Sequence, residues 1–180
     1  MTHTTPLVFI TGGSSGIGQA LAQHYLDAGW RVALVARRAH DMAAWAKSFN
    51  QDTLRVGVYG ADVSIAQQAR SAALACITQQ GLPHVVVANA GISVGVDTAE
   101  FDDLDVLQRT LMLNIAGIAN TFHPFLRLCV HAAQAAWWAW PAWLALEGCQ
   151  ATVGIVPARL APLPIWSRCA VSCAAVACTS

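Results

Sequence analysis

The eight residues TGGSSGIG, at positions 11–18, are of types suited to holding a phosphate. Glycines allow a tight turn and close backbone approach, and a helix beginning there offers unpaired N–H groups and the positive end of its dipole to a pyrophosphate. Gly12, Ser14, Ser15, Gly16, Ile17 and Gly18 are therefore candidates for a dinucleotide-binding turn. The competing reading, a purely structural turn, weakens if the glycines follow a strand and open a helix. Further along stands Ala36-Arg37-Arg38. An acidic side chain there would take the ribose hydroxyls of NAD, whereas a guanidinium suits the 2'-phosphate of NADP through charge-assisted, bidentate bonds. Arg37 and Arg38 thus favour NADP(H) over NAD, the alternative being two solvated surface arginines.

Such residues need a scaffold that brings them to one edge. Short apolar runs rich in β-branched residues alternate with longer stretches of helical period, the pattern of parallel strands joined by helices. This predicts strands at 7–11, 31–36, 54–59 and 84–88, and helices at 16–28, 41–49, 64–80 and 104 to about 126. The last helix carries Leu107, Leu111, Ile115, Ile118 and Phe122 on one stripe. The glycine turn then lies between the first strand and the first helix, and the arginines end the second strand.

Three further motifs fall at matching places: Ala61-Asp62-Val63 after the third strand, Asn89-Ala90-Gly91 after the fourth, and Asn114 within LMLNIAG in the last helix. Together with TGGSSGIG and the arginine pair, over residues 5 to about 126, they resemble the short-chain dehydrogenase/reductase family. The resemblance implies an α/β fold with a Rossmann-type, doubly wound parallel sheet, strand order 3-2-1-4-5-6 extended by a seventh. Here that sheet is expected to be truncated after the fourth strand and the helix that follows. By the same resemblance Asp62 bonds the adenine and Val63 lines its pocket. Asn89, Ala90 and Gly91 support the sheet beside the cofactor, and Asn114 holds a water in a proton relay. Singly, each has a plainer reading: Asp62 as an acid stabilised by a helix dipole, Asn114 as a buried helix asparagine. The implied reaction is hydride transfer between a nicotinamide and a ketone or alcohol, on a small-molecule substrate. Pairing of the long helix with a second subunit is compatible with it.

Members of the family use a tyrosine as general acid/base, a lysine four residues later that lowers its pKa, and an upstream serine. A phenol with a pKa near 10 needs such adjacent positive charge to work near neutrality. The tyrosines of this chain are Tyr25 and Tyr59, its lysine is Lys47, and four residues after the tyrosines stand Gly29 and Val63. The Tyr-x-x-x-Lys pair is absent, and catalysis by the chain as written is not expected.

Composition changes near residue 127. Sixteen of the twenty charged side chains precede it, while five of seven Trp and five of six Cys follow it, including the stretch WWAWPAWLAL at 137–146. Read one base earlier, the codons for Trp137-Trp138-Ala139 give Val-Gly without freedom, because Trp has one codon. The same frame then permits VGMASVAG, with the family's serine, and YCASK thirteen positions beyond that serine. We therefore read residues 1–126 as the NADP-binding half of the domain and 127–180 as an out-of-frame tail, with a frameshift near 126–128. The competing view is a membrane or interaction element. Residues 128–146 hold no charge, but Pro141 interrupts them and no Lys/Arg cluster flanks them. A non-catalytic NADP(H)-binding or membrane-associated protein, using the Trp-rich tail as its contact surface, is the alternative function.

Formal net charge is zero, and no basic run exceeds Arg37-Arg38, which excludes a nucleic-acid footprint or polybasic membrane patch. The first residues lack a basic stretch followed by a long apolar run, so a cytoplasmic location is the default expectation. The cysteine spacings match no zinc pattern, and free thiols and no metal are expected.

Overall fold

The computed structural model describes residues 5–49, 55–132 and 136–139. Within them a five-stranded parallel sheet runs in the order β3-β2-β1-β4-β5. Its strands are β1 (Leu7–Thr11), β2 (Arg31–Ala36), β3 (Val56–Gly60), β4 (Val85–Ala88) and β5 (Ala136–Ala139). Helices α1 (Gly16–Asp27), α2 (Ala39–Lys47) and α3 (Ala66–Gln80) join the first four strands. From β4 to β5 the chain passes through α4 (Asp103–Leu111), a π-helical turn (Met112–Ala116) and α5 (Gly117–Ala132).

Period-two alternation distributes the strand residues between two cores. Leu7, Phe9, Val35 and Val86 face Ala72, Ala73 and Cys76 of α3 and Phe122 and Phe125 of α5. Val8, Ile10, Leu34 and Val87 face Ala22 and Leu26 of α1 and Met42 and Ala46 of α2. Every residue of β1 is buried, as befits the strand at the centre of the doubly wound arrangement. Phe9 and Phe125 meet edge to face with ring centroids 5.0 Å apart, tying β1 to α5. Burial of each such side chain contributes roughly 1.5–3 kcal/mol.

One polar cluster fixes the end of α3 to the sheet. The Tyr59 hydroxyl donates to Gln80 Oε1 (2.9 Å), the Gln80 amide donates to the Val32 carbonyl (3.3 Å), and Arg31 donates to the Gln80 carbonyl (2.8 Å). A buried glutamine is tolerated here because its amide is satisfied at both ends. Beside it Cys76 is a free thiol whose pKa burial pushes up to about 12, which makes it unreactive. The side chains of the other five cysteines lie outside those described. Among the described residues no helix is long and apolar enough to cross a membrane.

Three features depart from the sequence pattern. First, the sheet does not stop at the fourth strand: Ala136–Ala139 pairs with β4 in parallel, Val86 opposite Trp137 and Val87 opposite Trp138. Ladder hydrogen bonds are made by backbone groups, so a strand pairs wherever an extended apolar segment reaches the edge. Second, the helix expected to end near 126 continues to Ala132. Third, Ile115, assigned by its period to the buried stripe, is 56% exposed, whereas Phe122 and Phe125 are buried. The π-helical turn is the reason: it inserts an extra residue between α4 and α5, rotating Ile115 outward and Asn114 inward. Residues 140–180, with most of WWAWPAWLAL and the proposed tail, lie outside the described residues.

His84, just before β4, donates its backbone N–H to the Leu7 carbonyl (2.8 Å), and its Nδ1 accepts the Leu7 N–H (3.2 Å). A protonated ring has no acceptor at Nδ1. Burial, with the nearby Arg31 guanidinium, holds its pKa below the usual 6.5. The unfolded chain therefore takes up this proton first. The stabilisation is complete above about pH 6.5 and is lost as pH falls below it toward the folded-state value. In urea titrations across this window, the stability advantage of the wild type over His84→Asn should shrink with falling pH; a pH-independent difference would show that this bond is not pH-linked.

Candidate functional site

The turns after β1, β2, β3 and β4 surround a cleft of about 530 Å³. Eleven of the residues picked from the sequence line it: Gly12, Ser14, Ser15, Ile17, Arg37, Arg38, Asp62, Val63, Asn89, Ala90 and Gly91. Gly16 begins α1, Gly18 is buried, and Asn114 is buried next to the Ile92 backbone; these three support the walls without lining them. Val35, Ile92, Ser93 and Leu113 also line the cleft. Nothing in their types marks them out, and the signal that could have found them is position: each adjoins a strand end or motif already singled out.

Two glycines make the turn after β1 possible. Gly12 has φ +70°, and a Cβ there would stand 2.7 Å from the Ala90 Cα, a backbone atom that cannot swing aside. A Cβ on Gly18 would collide with the Gly12 carbonyl oxygen. The start of α1 therefore lies directly on the turn. Ser15 occupies the N-cap position with extended backbone, makes no side-chain capping bond, and the first turn carries no acidic residue. The first N–H groups of α1 are thus left for a ligand, with no resident anion competing for the dipole.

Thr11 and Asn89 join the walls of the cleft. The buried Thr11 hydroxyl donates to the Val87 carbonyl (3.4 Å) and accepts the backbone N–H groups of Asn89 (3.1 Å) and Ala90 (3.2 Å). In return the Asn89 amide donates to the carbonyls of Thr11 (3.0 Å) and Gly12 (3.2 Å). Asn114 fixes the next stretch: its Oδ1 accepts the Ile92 N–H (2.9 Å) and its Nδ2 donates to the Ile92 carbonyl (2.8 Å).

At the far wall Arg38 pairs with Asp41 at 3.3 Å, an exposed contact in the first turn of α2. Arg37 makes no hydrogen bond or ion pair among the described residues and is exposed at the cleft. Asp62 lines the same wall, its Oδ1 accepting from the Ser64 N–H (3.0 Å) and hydroxyl (2.6 Å). Neither tyrosine lines the cleft. Tyr59 is buried and bonded to Gln80, and burial raises its pKa far above that of a free phenol. Burial also raises the pKa of Tyr25, whose ring packs edge to face on Trp30. Lys47 is exposed at the end of α2.

A family model described as short chain dehydrogenase matches residues 6–136. The chain belongs to the short-chain dehydrogenase family. That match runs ten residues past the point where the motifs fade in the sequence, to the start of β5. The chain is 28% identical over 132 residues to sulfoacetaldehyde reductase 2 of Chromohalobacter salexigens, covering 72% of this chain and 51% of that protein. It is 32% identical over 126 residues to serine 3-dehydrogenase of Rhizobium radiobacter, covering 66% and 47%. The chain thus spans about half the length of the curated relatives it matches. Among solved structures, an alcohol dehydrogenase from the archaeon Thermococcus sibiricus, complexed with 5-hydroxy-NADP, superposes with a TM-score of 0.68. It is 26% identical, with 75% of this chain and 57% of that one covered. As a short-chain dehydrogenase the chain has the fold and lineage of an oxidoreductase that uses a nicotinamide cofactor.

The Thr11 hydroxyl has a measurable weight in this arrangement. Thr11→Val keeps the shape but leaves the Asn89 and Ala90 N–H groups without their acceptor, so urea unfolding should show a loss of about 1–3 kcal/mol. Thr11→Ser, which keeps the oxygen, should lose clearly less; equal losses would mean that the hydroxyl does not join the two turns.

Proposed function

We propose that residues 1–126 form the NADP(H)-binding half of a short-chain dehydrogenase whose lineage reduces ketones or oxidises alcohols. One observation carries this: a helix N-terminus without a side-chain cap, packed through Gly18 onto the Gly12 carbonyl, opens into the same cleft as Arg37, which is exposed and has no ion pair among the described residues. The cradle suits a pyrophosphate, since a Cβ at either glycine would disrupt it. Gly12, Ser14, Ser15 and Ile17 would hold the diphosphate, and Arg37 would hold the ribose 2'-phosphate, with Arg38 partly neutralised by Asp41. Asp62 and Val63 would bound the adenine, and Asn89, Ala90 and Gly91 the nicotinamide side. Asn114 would fix the turn there through Ile92. The cofactor supplies the hydride chemistry; the protein supplies binding and orientation. The similar structure bound to 5-hydroxy-NADP supports the choice of NADP.

The proposal distinguishes cofactor binding from turnover. General acid/base catalysis by a phenol needs a lowered pKa, whereas burial raises those of Tyr25 and Tyr59, and Lys47 lies on α2, away from the cleft. On this reading the chain as written binds the cofactor and transfers no hydride. The shifted frame explains the missing pair. It reads Val-Gly from the codons of residues 137–139, which fall in the strand paired with β4, where the family's serine-bearing strand belongs. The junction we propose lies near residues 126–128, where the composition changes.

Two measurements test these halves separately. Arg37→Ala should weaken NADPH binding by about ten- to a hundredfold at low ionic strength, the effect of losing charge-assisted bonds to a phosphate, while NADH affinity stays unchanged. Equal losses for the two dinucleotides would remove Arg37 from 2'-phosphate recognition. Nucleotide sequencing across codons 120–140 should reveal a one-base displacement relative to related genes; an intact frame, shared with relatives carrying the same Trp-rich tail, would overturn the frame proposal.

A further inference from the structure

The helix that closes the sheet also reaches the turn after β3. From α5, Asn120 Nδ2 donates to the Val63 carbonyl (2.9 Å) and, more weakly, to the Ser64 carbonyl (3.4 Å). Three residues earlier Gly117 lies against Val63, where an added Cβ would stand 3.2 Å from Val63 Cγ2. The backbone of this turn is thus gripped by an element remote in sequence. Further support comes from α3, where Gln68 Oε1 accepts the Asp62 N–H (2.8 Å), and from within the turn, where the Ile65 N–H donates to the Asp62 carbonyl (3.0 Å).

The turn in turn orients a carboxylate. Asp62 Oδ1 takes both the N–H and the hydroxyl of Ser64, while Asp62 Oδ2 has no hydrogen-bond partner among the described residues. With Oδ1 occupied, rotation of the carboxylate is restricted and Oδ2 is the oxygen left to accept from a ligand in the cleft. The direction of Oδ2 depends on Ser64, and the position of Ser64 depends on the two carbonyls that Asn120 holds. Carbonyls accept only, so this task requires a donor, which the Asn120 amide supplies: a carboxylate of the same shape would oppose them, and a methyl would leave them unheld.

We propose that Asn120 is a positioning residue for recognition of the adenine exocyclic amino group, acting through Ser64 on Asp62. This rests on the reading of the cleft as a dinucleotide site, with Asp62 at its adenine end. The amino group donates to Asp62 Oδ2, and Asn120 keeps that oxygen in place without touching the ligand.

The test uses the full chain and two ligands, NADPH and its 1,N6-etheno analogue, whose bridged amino nitrogen carries no hydrogen to donate. Wild type should bind NADPH about tenfold more tightly than the analogue, the effect of one charge-assisted bond. Asn120→Asp should abolish most of that preference by weakening NADPH alone, with affinity for the analogue unchanged. Asn120→Ala, which buries no charge, provides the same readout should the aspartate variant fail to fold. Asn120→Ala combined with Asp62→Ala should bind NADPH no worse than Asp62→Ala alone. Three results overturn the proposal at different levels. Wild type binding neither ligand removes the dinucleotide site itself. Wild type binding both equally removes the role of Asp62. A normal wild-type preference that survives in both Asn120 variants, or an equal loss for both ligands, leaves those readings intact and removes Asn120 alone.

Discussion

The close approach of α1 to the turn after β1 is the constraint on which the other features depend. Helix N–H groups can face a phosphate only if the first turn of the helix lies against the strand that precedes it, and here Gly18 packs directly on the Gly12 carbonyl. That carbonyl also accepts from Asn89, so the packing of α1 on its turn is continuous with the hydrogen bonds that hold β4 to β1. The Thr11 hydroxyl closes the circuit by serving a carbonyl and two N–H groups of the neighbouring strand and its turn. Three elements therefore share one arrangement of backbone groups. A turn so determined can leave N–H groups unbonded toward the cleft without collapsing onto a capping side chain.

Much of this was legible in the residues because local rules and the global fold agree. β-Branched runs bounded by Gly, Asn and Asp mark strands whose two faces are both buried, and four of the five strands carry that signature. The glycines, the arginine pair and the short polar motifs sit at strand ends, and a doubly wound sheet brings its strand ends together, so one topology gathers eleven of the expected residues into one cleft. What was illegible depended on departures from periodicity. A π-helical turn leaves no mark in a hydrophobic pattern, so Ile115 was assigned to the core although it is exposed. Nor does composition show that Asn120 reaches the Val63 carbonyl, a contact fixed only once that turn has set the rotation of α5.

The strand at Ala136–Ala139 illustrates how little side-chain identity a sheet edge demands. β4 presents its N–H and C=O groups in a fixed row, and any extended segment free of proline can complete the ladder. The same tolerance does not extend to chemistry. A ladder bond is made by every residue type, but a general acid/base requires a particular side chain at a particular point, and no backbone arrangement substitutes for it.

The cleft is consequently built by a stretch of chain that ends before β5. Apart from Val35, Ala36 and Leu113, the cleft residues belong to the turns after the first four strands, and contacts made before residue 126 hold these turns. α5 and the turn before it reach both walls: Phe125 anchors α5 under Phe9, Asn120 holds the turn after β3, and the adjoining π-helical turn places Asn114 against Ile92. A helix fixed at both walls transmits strain between them, because neither amide can keep its bonds if the helix slides or rotates. Whatever follows α5 can thus vary while the cleft stays defined, provided the helix itself remains packed on the sheet.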